Sequence, residues 1–382
     1  MARQPGPARA TAFASAVATA GVLPVFLTGG LAVQIAADLG FSESKLGLAV
    51  ATYFATSALA SAPLGRLAQR IGFASSLRLA AALSAVALAG IALSPTLGVL
   101  SLSLVAGGLA NSLGQPAANG FIVHAVPERR RAFAFAVKQS AIPFSTLLGG
   151  LAVPVLALTV GWRWAFAAAA LAAAVLPAAR PGDPPPVRTA APGERLLRLA
   201  PLLVLGGAAA FAAAAANSLG AFVTASAVDA GFGEAAAGWI QAAGSITGLS
   251  VRLLVGWLTD RGSVRDFSLV VAMMAGGVAG FAFLGTGSLL LFALGVAIGY
   301  GLGWAWPGLF NYAVAQRHLA APAAATGITQ SGVYIGGASG PLVFGLVAEH
   351  ESYALGWGLT AISAAIAAAG VHIGRQLLDR RG

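Results

Sequence analysis

The sequence predicts an all-α integral membrane protein, with twelve transmembrane helices in two parallel six-helix repeats. Three observations carry that expectation. Of 382 residues, 58% are hydrophobic and only 9% charged, where soluble domains carry about 25% charged residues. Twelve apolar segments come close to the roughly 20 residues that cross a bilayer. Several features also recur at a constant offset of 191 residues.

So little charge does not solvate the surface of a chain this long, and lipid is the solvent such a surface fits. The net charge of +10 comes from short basic clusters between apolar runs. That pattern indicates membrane topology and no nucleic-acid partner. The absence of cysteine excludes disulfides and thiolate metal sites. The 50 glycines suit close helix packing in lipid.

The segments fall at about 12–34, 46–66, 76–94, 98–122, 133–157, 162–179, 199–224, 235–258, 267–285, 288–312, 325–348 and 354–374. The first follows Arg3 and Arg9 but is too long for a signal-peptide core and ends at no clear cleavage site, so it reads as a span. Segments three and four are joined by the short turn Ser94-Pro95-Thr96, and nine and ten by Thr286-Gly287. A Pro-rich polar stretch at 180–198 reads as a linker between an N-terminal bundle (1–179) and a C-terminal bundle (199–382). All but two of the 22 basic residues lie on or near one side, the exceptions being Lys45 and Arg163. Positive charge stays cytoplasmic. Both termini and the linker are therefore expected inside the cytoplasmic (inner) membrane, with Asp38, Glu43, Asp229, Glu234, Glu349 and Glu351 outside.

The offset aligns Gly40-Phe41-Ser42-Glu43 with Gly231-Phe232-Gly233-Glu234, and Gly65-Arg66-Leu67-Ala68-Gln69-Arg70 with Gly256-Trp257-Leu258-Thr259-Asp260-Arg261. It also pairs Pro116 with Pro307, and Gln139-Ser140 with Gln330-Ser331. An even number of spans per repeat makes the repeats parallel. With these motifs the chain resembles the major facilitator superfamily of the twelve-span bacterial type, over essentially its whole length. The family's loop between spans two and three reads roughly Gly-x-Leu-x-Asp-Arg-x-Gly-Arg-Arg. Gly65, Leu67, Arg70 and Gly72 match it, while Gln69 stands where the Asp belongs and Phe73-Ala74 replace the basic pair. The second copy keeps Gly256, Leu258, Asp260 and Arg261. The resemblance implies gating roles for these loops, with Asp260 anchoring one access state and Arg252 its nearest cation by helical spacing. Span eleven carries Gly336-Gly337-Ala338-Ser339-Gly340-Pro341, similar to the family's glycine-proline pattern, and span five a weaker copy with Pro143 and Gly149-Gly150. The span-four arginine of proton-coupled antiporters is missing between Gly98 and Gly114.

No enzyme constellation is present. The histidines (His124, His318, His350, His372) lack metal-ligand spacing, no Gly-Lys-Ser phosphate cradle occurs, and no cofactor is called for. Polar residues inside spans are the candidates, because amides and charges in hydrocarbon are costly unless paired or wet. Asn111, Gln115 and Asn119 recur every fourth residue on span four and share a face. They serve either as interhelical glue or as a cavity wall, and the resemblance implies a cavity lined by spans one, four, seven and ten. The offset puts Leu302, Trp306 and Phe310 on the matching face of span ten, with Trp304 also away from the interfacial belt. Asn217, Gln241, Gln330 and Tyr334 are further candidates. Lys138, beside Gln139 and roughly 9 Å into span five, and Arg252 in span eight either snorkel to the interface or face a site. Gly332, Gly336 and Gly340 form a small-residue stripe for tight packing or for sliding. No Asp or Glu falls inside a span, so a cationic substrate meets no buried counter-ion.

What the resemblance implies is a monomeric secondary transporter of a small organic solute, anionic or neutral and partly apolar, working by alternating access. The alternatives are an exporter of amphiphilic drugs and a non-transporting membrane receptor or scaffold.

Overall fold

The computed structural model describes residues 6–179, 199–261, 267–318 and 322–379, without the side chains of Ala132, Asp260 and residues 322–324. The expected linker at 180–198 lies outside the described residues. The described elements are helical. The first bundle holds α1 (Pro7–Gly30), α2 (Glu43–Ile71), α3 (Phe73–Ala92), α4 (Leu97–Ala125), α5 (Phe133–Ala157) and α6 (Arg163–Ala178). The second holds α7 (Leu199–Asp229), α8 (Glu234–Thr259), α9 (Phe267–Leu284), α10 (Leu289–Arg317), α11 (Ala325–His350) and α12 (Tyr353–Asp379). Among the described residues, eleven of these are long and apolar enough to cross a membrane. The remaining one, α6, is a shorter apolar helix of about 24 Å at 1.5 Å per residue.

Loop glycines with positive φ separate the helices. Gly40 (φ 65°) and Gly231 (φ 101°) occupy the same place in the two repeats, a backbone region that costs glycine little. Three interruptions matter for function. After Leu31, α1 continues as the separate short helix Ala32–Leu39. The α5 span is built from Arg131–Gln139, a break at Ser140, Ala141–Ala152 and a π-turn at Val153–Ala157. The α10 span runs through Leu289–Ile298, a π-turn at Gly299–Gly303, a non-helical turn and then Pro307–Arg317.

The bundles meet along three lines, α1 with α7, α2 with α11 and α5 with α8. One face of the molecule carries Arg66, Arg70, Arg129, Arg130, Arg261 and Arg317, and the other carries Asp38, Glu43, Asp229, Glu234 and Glu349. In the acidic half, buried apolar side chains from both bundles form one continuous core, including Phe26, Leu46, Tyr53, Phe222, Trp304 and Trp357. In the basic half there are two separate cores. One belongs to the first bundle (Phe13, Leu77, Leu113, Phe121) and one to the second (Phe267, Met273, Trp306, Phe310). The bundles thus share one apolar core near the acidic face and keep separate cores towards the basic face.

Glycines make that shared core possible. A Cβ on Gly29 would lie 2.6 Å from the Gly220 carbonyl oxygen, and one on Gly238 would lie 2.6 Å from that of Gly150. A side chain on Gly47 would overlap the Pro341 carbonyl, and one on Gly345 that of Glu43. Hydrogen bonds cross the same rim: Gln34 Nε2 donates to Glu234 (2.6 Å), the Ser44 amide to Glu349 (2.9 Å) and the Tyr353 hydroxyl to Glu43 (3.3 Å). The stripe Gly332, Gly336 and Gly340 faces the α7 backbone at Gly206, Ala210 and Ala214, inside the second bundle. It is a packing face, and the sliding role considered for it has no partner surface in the other bundle.

Candidate functional site

The break in α5 has a chemical cause. In a continuous helix the Gln139 carbonyl would accept from the amide four residues on, but that residue is Pro143, which has no N–H. Arg252 of α8 supplies the missing donor from the other bundle. Its Nη1 donates to the Gln139 carbonyl (2.6 Å) and its Nη2 to the Trp304 carbonyl (2.5 Å), at the break in α10. The guanidinium therefore joins two interrupted helices, one from each bundle, and its Nε is buried without a partner. Lys138 binds the same residue through its side chain. Its ammonium donates to the Gln115 side chain of α4 and, at 3.3 Å, to Gln139 Oε1. Both cations are buried, 2% exposed for Lys138 and 5% for Arg252, so neither reaches the interface by snorkelling.

Two cations thus converge on Gln139 with no carboxylate near them among the described residues. The described Asp and Glu residues lie at or beyond span ends. The described ion pairs, Arg163 with Asp38 and Arg317 and Arg375 with Asp379, are at helix ends too. Asp38 is held below its ordinary value of 3.8, chiefly by the Arg163 hydrogen bond and then by the Trp162 indole.

Further along the α5/α8 seam, Gln241 is fully buried and fully engaged. It accepts from the Thr224 hydroxyl and donates to the Thr146 carbonyl (2.9 Å), while Ser245 donates to Thr146 Oγ1 (2.8 Å). Gln241, expected to contact substrate, is instead a knot tying α5, α7 and α8 together.

The remaining predicted residues separate into groups. Asn111 donates to Ser57 Oγ (3.2 Å) and lies with its Cα against Gly21, at the junction of α1, α2 and α4. Gln115 is half-buried on Lys138, and Asn119 is exposed, so the amide stripe runs out of the first bundle instead of forming one wall. Asn217 is buried and bonds back to the Ala213 carbonyl (2.8 Å). Trp304 is buried edge-on to Phe26, with ring centroids 5.3 Å apart. Tyr334 sits beside Ser61 and Gln330.

Trp306 corrects an expectation. The repeat offset sets it on a cavity wall with Phe310 and Leu302, but it is 1% exposed, edge-on to Phe310 in the second bundle's own core. The π-turn and the non-helical residues after it shift the helical register, so a face projected from the repeat offset no longer holds.

Of the gating residues, Gly256 lies so close to Ala136 of α5 that a side chain there would overlap it. Gly65, its repeat mate, meets only Pro116 of its own bundle, at 3.9 Å from a Cβ position. Arg261 stacks on Trp257 at 3.7 Å, and Gln69 and Arg70 are exposed. The Asp260 side chain lies outside the described residues, and Arg252, its nearest cation by helical spacing, binds two backbone carbonyls. Sequence reasoning missed Thr146, Ser245 and Thr224, single hydroxyls in apolar helices with nothing to mark them. The Pro143 signal was available, since a proline inside a span orphans the carbonyl four residues before it.

This arrangement of two six-helix bundles sharing a core at one face and keeping separate cores at the other, with buried polar groups between them, defines a membrane transporter. A family model for the Major Facilitator Superfamily matches residues 10–315, and the chain belongs to that family. No curated protein sequence matches it. Among solved structures it is similar to a bacterial homologue of the human lysosomal transporter Spinster. In the inward-facing, occupied conformation the identity is 18% over 96% of both chains, with a TM-score of 0.72. In the inward-facing, unoccupied conformation it is 16% over 99% of this chain and 98% of that one, with a TM-score of 0.75. It is also similar to a D-xylose–proton symporter, at 17% identity over 94% and 96% of the chains and a TM-score of 0.76.

Proposed function

We propose that this chain is a secondary carrier for a small organic anion, working by alternating access across the cytoplasmic membrane. The observation that carries the reading is the pair of buried cations, Lys138 and Arg252, without a carboxylate partner in any described span. A buried charge is costly unless it is paired, and on the insertion scale each would cost about 2.5–3.5 kcal/mol at a helix centre. The Gln115 and Gln139 oxygens and the two backbone carbonyls offset part of that cost with dipoles. A substrate carboxylate offsets more, and adds a charge-assisted hydrogen bond about twice as strong as a neutral one.

With positive charge inside, the basic face is cytoplasmic, both termini are inside, and the half with separate cores opens inward. Asp260 anchors the second-copy gating loop in this reading, and Gln69 provides no equivalent charge. The test is thermal stabilisation of the purified protein by a panel of carboxylates, sugars and lipophilic cations. Carboxylates are expected to stabilise it, and Lys138→Ala to remove most of that effect while the protein still folds. Stabilisation by lipophilic cations alone, strengthened by Lys138→Ala, would sink the reading.

A further inference from the structure

We infer that the anion carries two acidic groups, a short-chain dicarboxylate being the simplest case; this rests on the anion reading above. The two cations are bound to opposite ends of one residue, Lys138 to the Gln139 side chain and Arg252 to the Gln139 carbonyl. Both are therefore tied to the same glutamine, and each keeps donors in reserve. An ammonium has three N–H donors and a guanidinium five. Lys138 uses two on Gln115 and Gln139. Arg252 uses two of its nitrogens on carbonyls, and its buried Nε is unpartnered. A buried charged donor left unmade is expensive, and the guanidinium edge that includes Nε can take a carboxylate in two-point fashion.

Charge counting points the same way. At Ser140 the C-terminus of the helix Arg131–Gln139 meets the N-terminus of the helix Ala141–Ala152, so their half-charges of opposite sign cancel and roughly two positive charges are left to match. A monocarboxylate answers one cation and leaves the other exposed to the same desolvation. Two carboxylates joined by a short chain answer both, and both are ionised at neutral pH.

The test compares acids of similar length and different charge on the full chain in lipid nanodiscs. Binding of succinate and glutarate is measured against butyrate, with succinamide as the neutral control. Wild type is expected to bind a dicarboxylate roughly tenfold or more tightly than butyrate, the scale of one added charge-assisted hydrogen bond. Lys138→Gln or Arg252→Gln should each bring that ratio close to one. Lys138→Arg and Arg252→Lys keep the charge and should keep most of the ratio, so the comparison survives even where a neutral variant does not fold. Equal binding of butyrate and the dicarboxylates by wild type would overturn the two-acid inference and leave the anion reading standing. Binding of neither class would overturn both.

Discussion

The α5/α8 seam and the α2/α11 seam are the same frame filled in two ways. Along α8 the residues facing the first bundle are Glu234, Gly238, Gln241, Ser245, Arg252 and Gly256; their repeat mates on α2 are Glu43, Gly47, Val50, Phe54, Ser61 and Gly65. The ends agree. Glu234 and Glu43 both accept a hydrogen bond from across the acidic rim. Gly238 lies on Gly150 as Gly47 lies on Pro341, the residue at the equivalent position. The middles do not agree. The α8 side is a polar ladder of Gln241, Ser245 and Arg252 bonded to α5, whereas α2 offers Val50 and Phe54, with the Phe54 ring against Gly337, and a single polar contact of Ser61 with Tyr334.

The outcome at the basic end follows. Gly256 is pressed on Ala136, but the equivalent contact, Gly65 on Gly327, is absent: Gly65 meets only Pro116, and Gly327 has nothing within 4 Å of a Cβ position. Hydrogen bonds are directional and hold a register, while apolar contacts separate without leaving orphaned groups. The α5/α8 seam therefore keeps its contact to the basic end, where the α2/α11 seam does not.

The largest expected effect is all-or-none. The chain has no native cysteine, so engineered pairs report cleanly. Ala136→Cys with Gly256→Cys should cross-link under mild oxidation, while Gly65→Cys with Gly327→Cys should not in the absence of ligand. Equal cross-linking of both pairs would break the comparison. Next in size, Gly256→Val should cost about 1–3 kcal/mol by overpacking and lower the melting temperature and transport together. Gly65→Val has room and should stay within about 0.5 kcal/mol, a typical surface value.

A smaller effect separates the seam centres. Gln241→Leu keeps the volume and loses the Thr224 and Thr146 bonds, worth about 0.6–1.7 kcal/mol for hydrogen bonds between membrane helices. Its signature is faster exchange of α5 and α8 amides with no change in α2 and α11. The smallest effect lies off both seams. Asp38 and Arg163 belong to one bundle, and the pair is exposed. The lowered pKa of Asp38 means its contribution is present above the ordinary carboxylate value and is lost as pH falls through the lowered one. Asp38→Asn should cost at most about 1 kcal/mol and leave both cross-linking results unchanged.

The span pattern is legible in the sequence because length and apolarity are what the bilayer imposes. The expected segment at 235–258 appears as Glu234–Thr259, and that at 267–285 as Phe267–Leu284. The ends of others are less legible. Helix α2 runs on to Ile71 through Arg66 and Arg70, and α10 to Arg317, because backbone hydrogen bonding continues past the hydrocarbon edge with polar side chains. The site is legible in kind more than in geometry. Lys138, Gln139 and Arg252 stand out by their cost in lipid. That Trp306 turns inward does not stand out, since the π-turn before it has no periodic signal in a run of glycines. Nor does Asn111 reveal which neighbouring helix it faces, because a polar face says that a partner exists and not which one.

The missing N–H of Pro143 ties two distant positions into one genetic unit. The first bundle cannot satisfy the Gln139 carbonyl from within α5, so it depends on a residue some hundred positions later. An alanine at 143 would restore a local donor and leave the guanidinium at 252 with less to hold. The repeats record the same dependence. The mates of Pro143 and Arg252 are Tyr334 and Ser61, which stand side by side on the other seam. There α11 is unbroken, Tyr334 keeps its own amide for Gln330, and position 61 has no orphan to reach. The proline and the arginine differ together between the two copies, as a substitution and its compensation do, and changing either alone exposes what the other was there to repair.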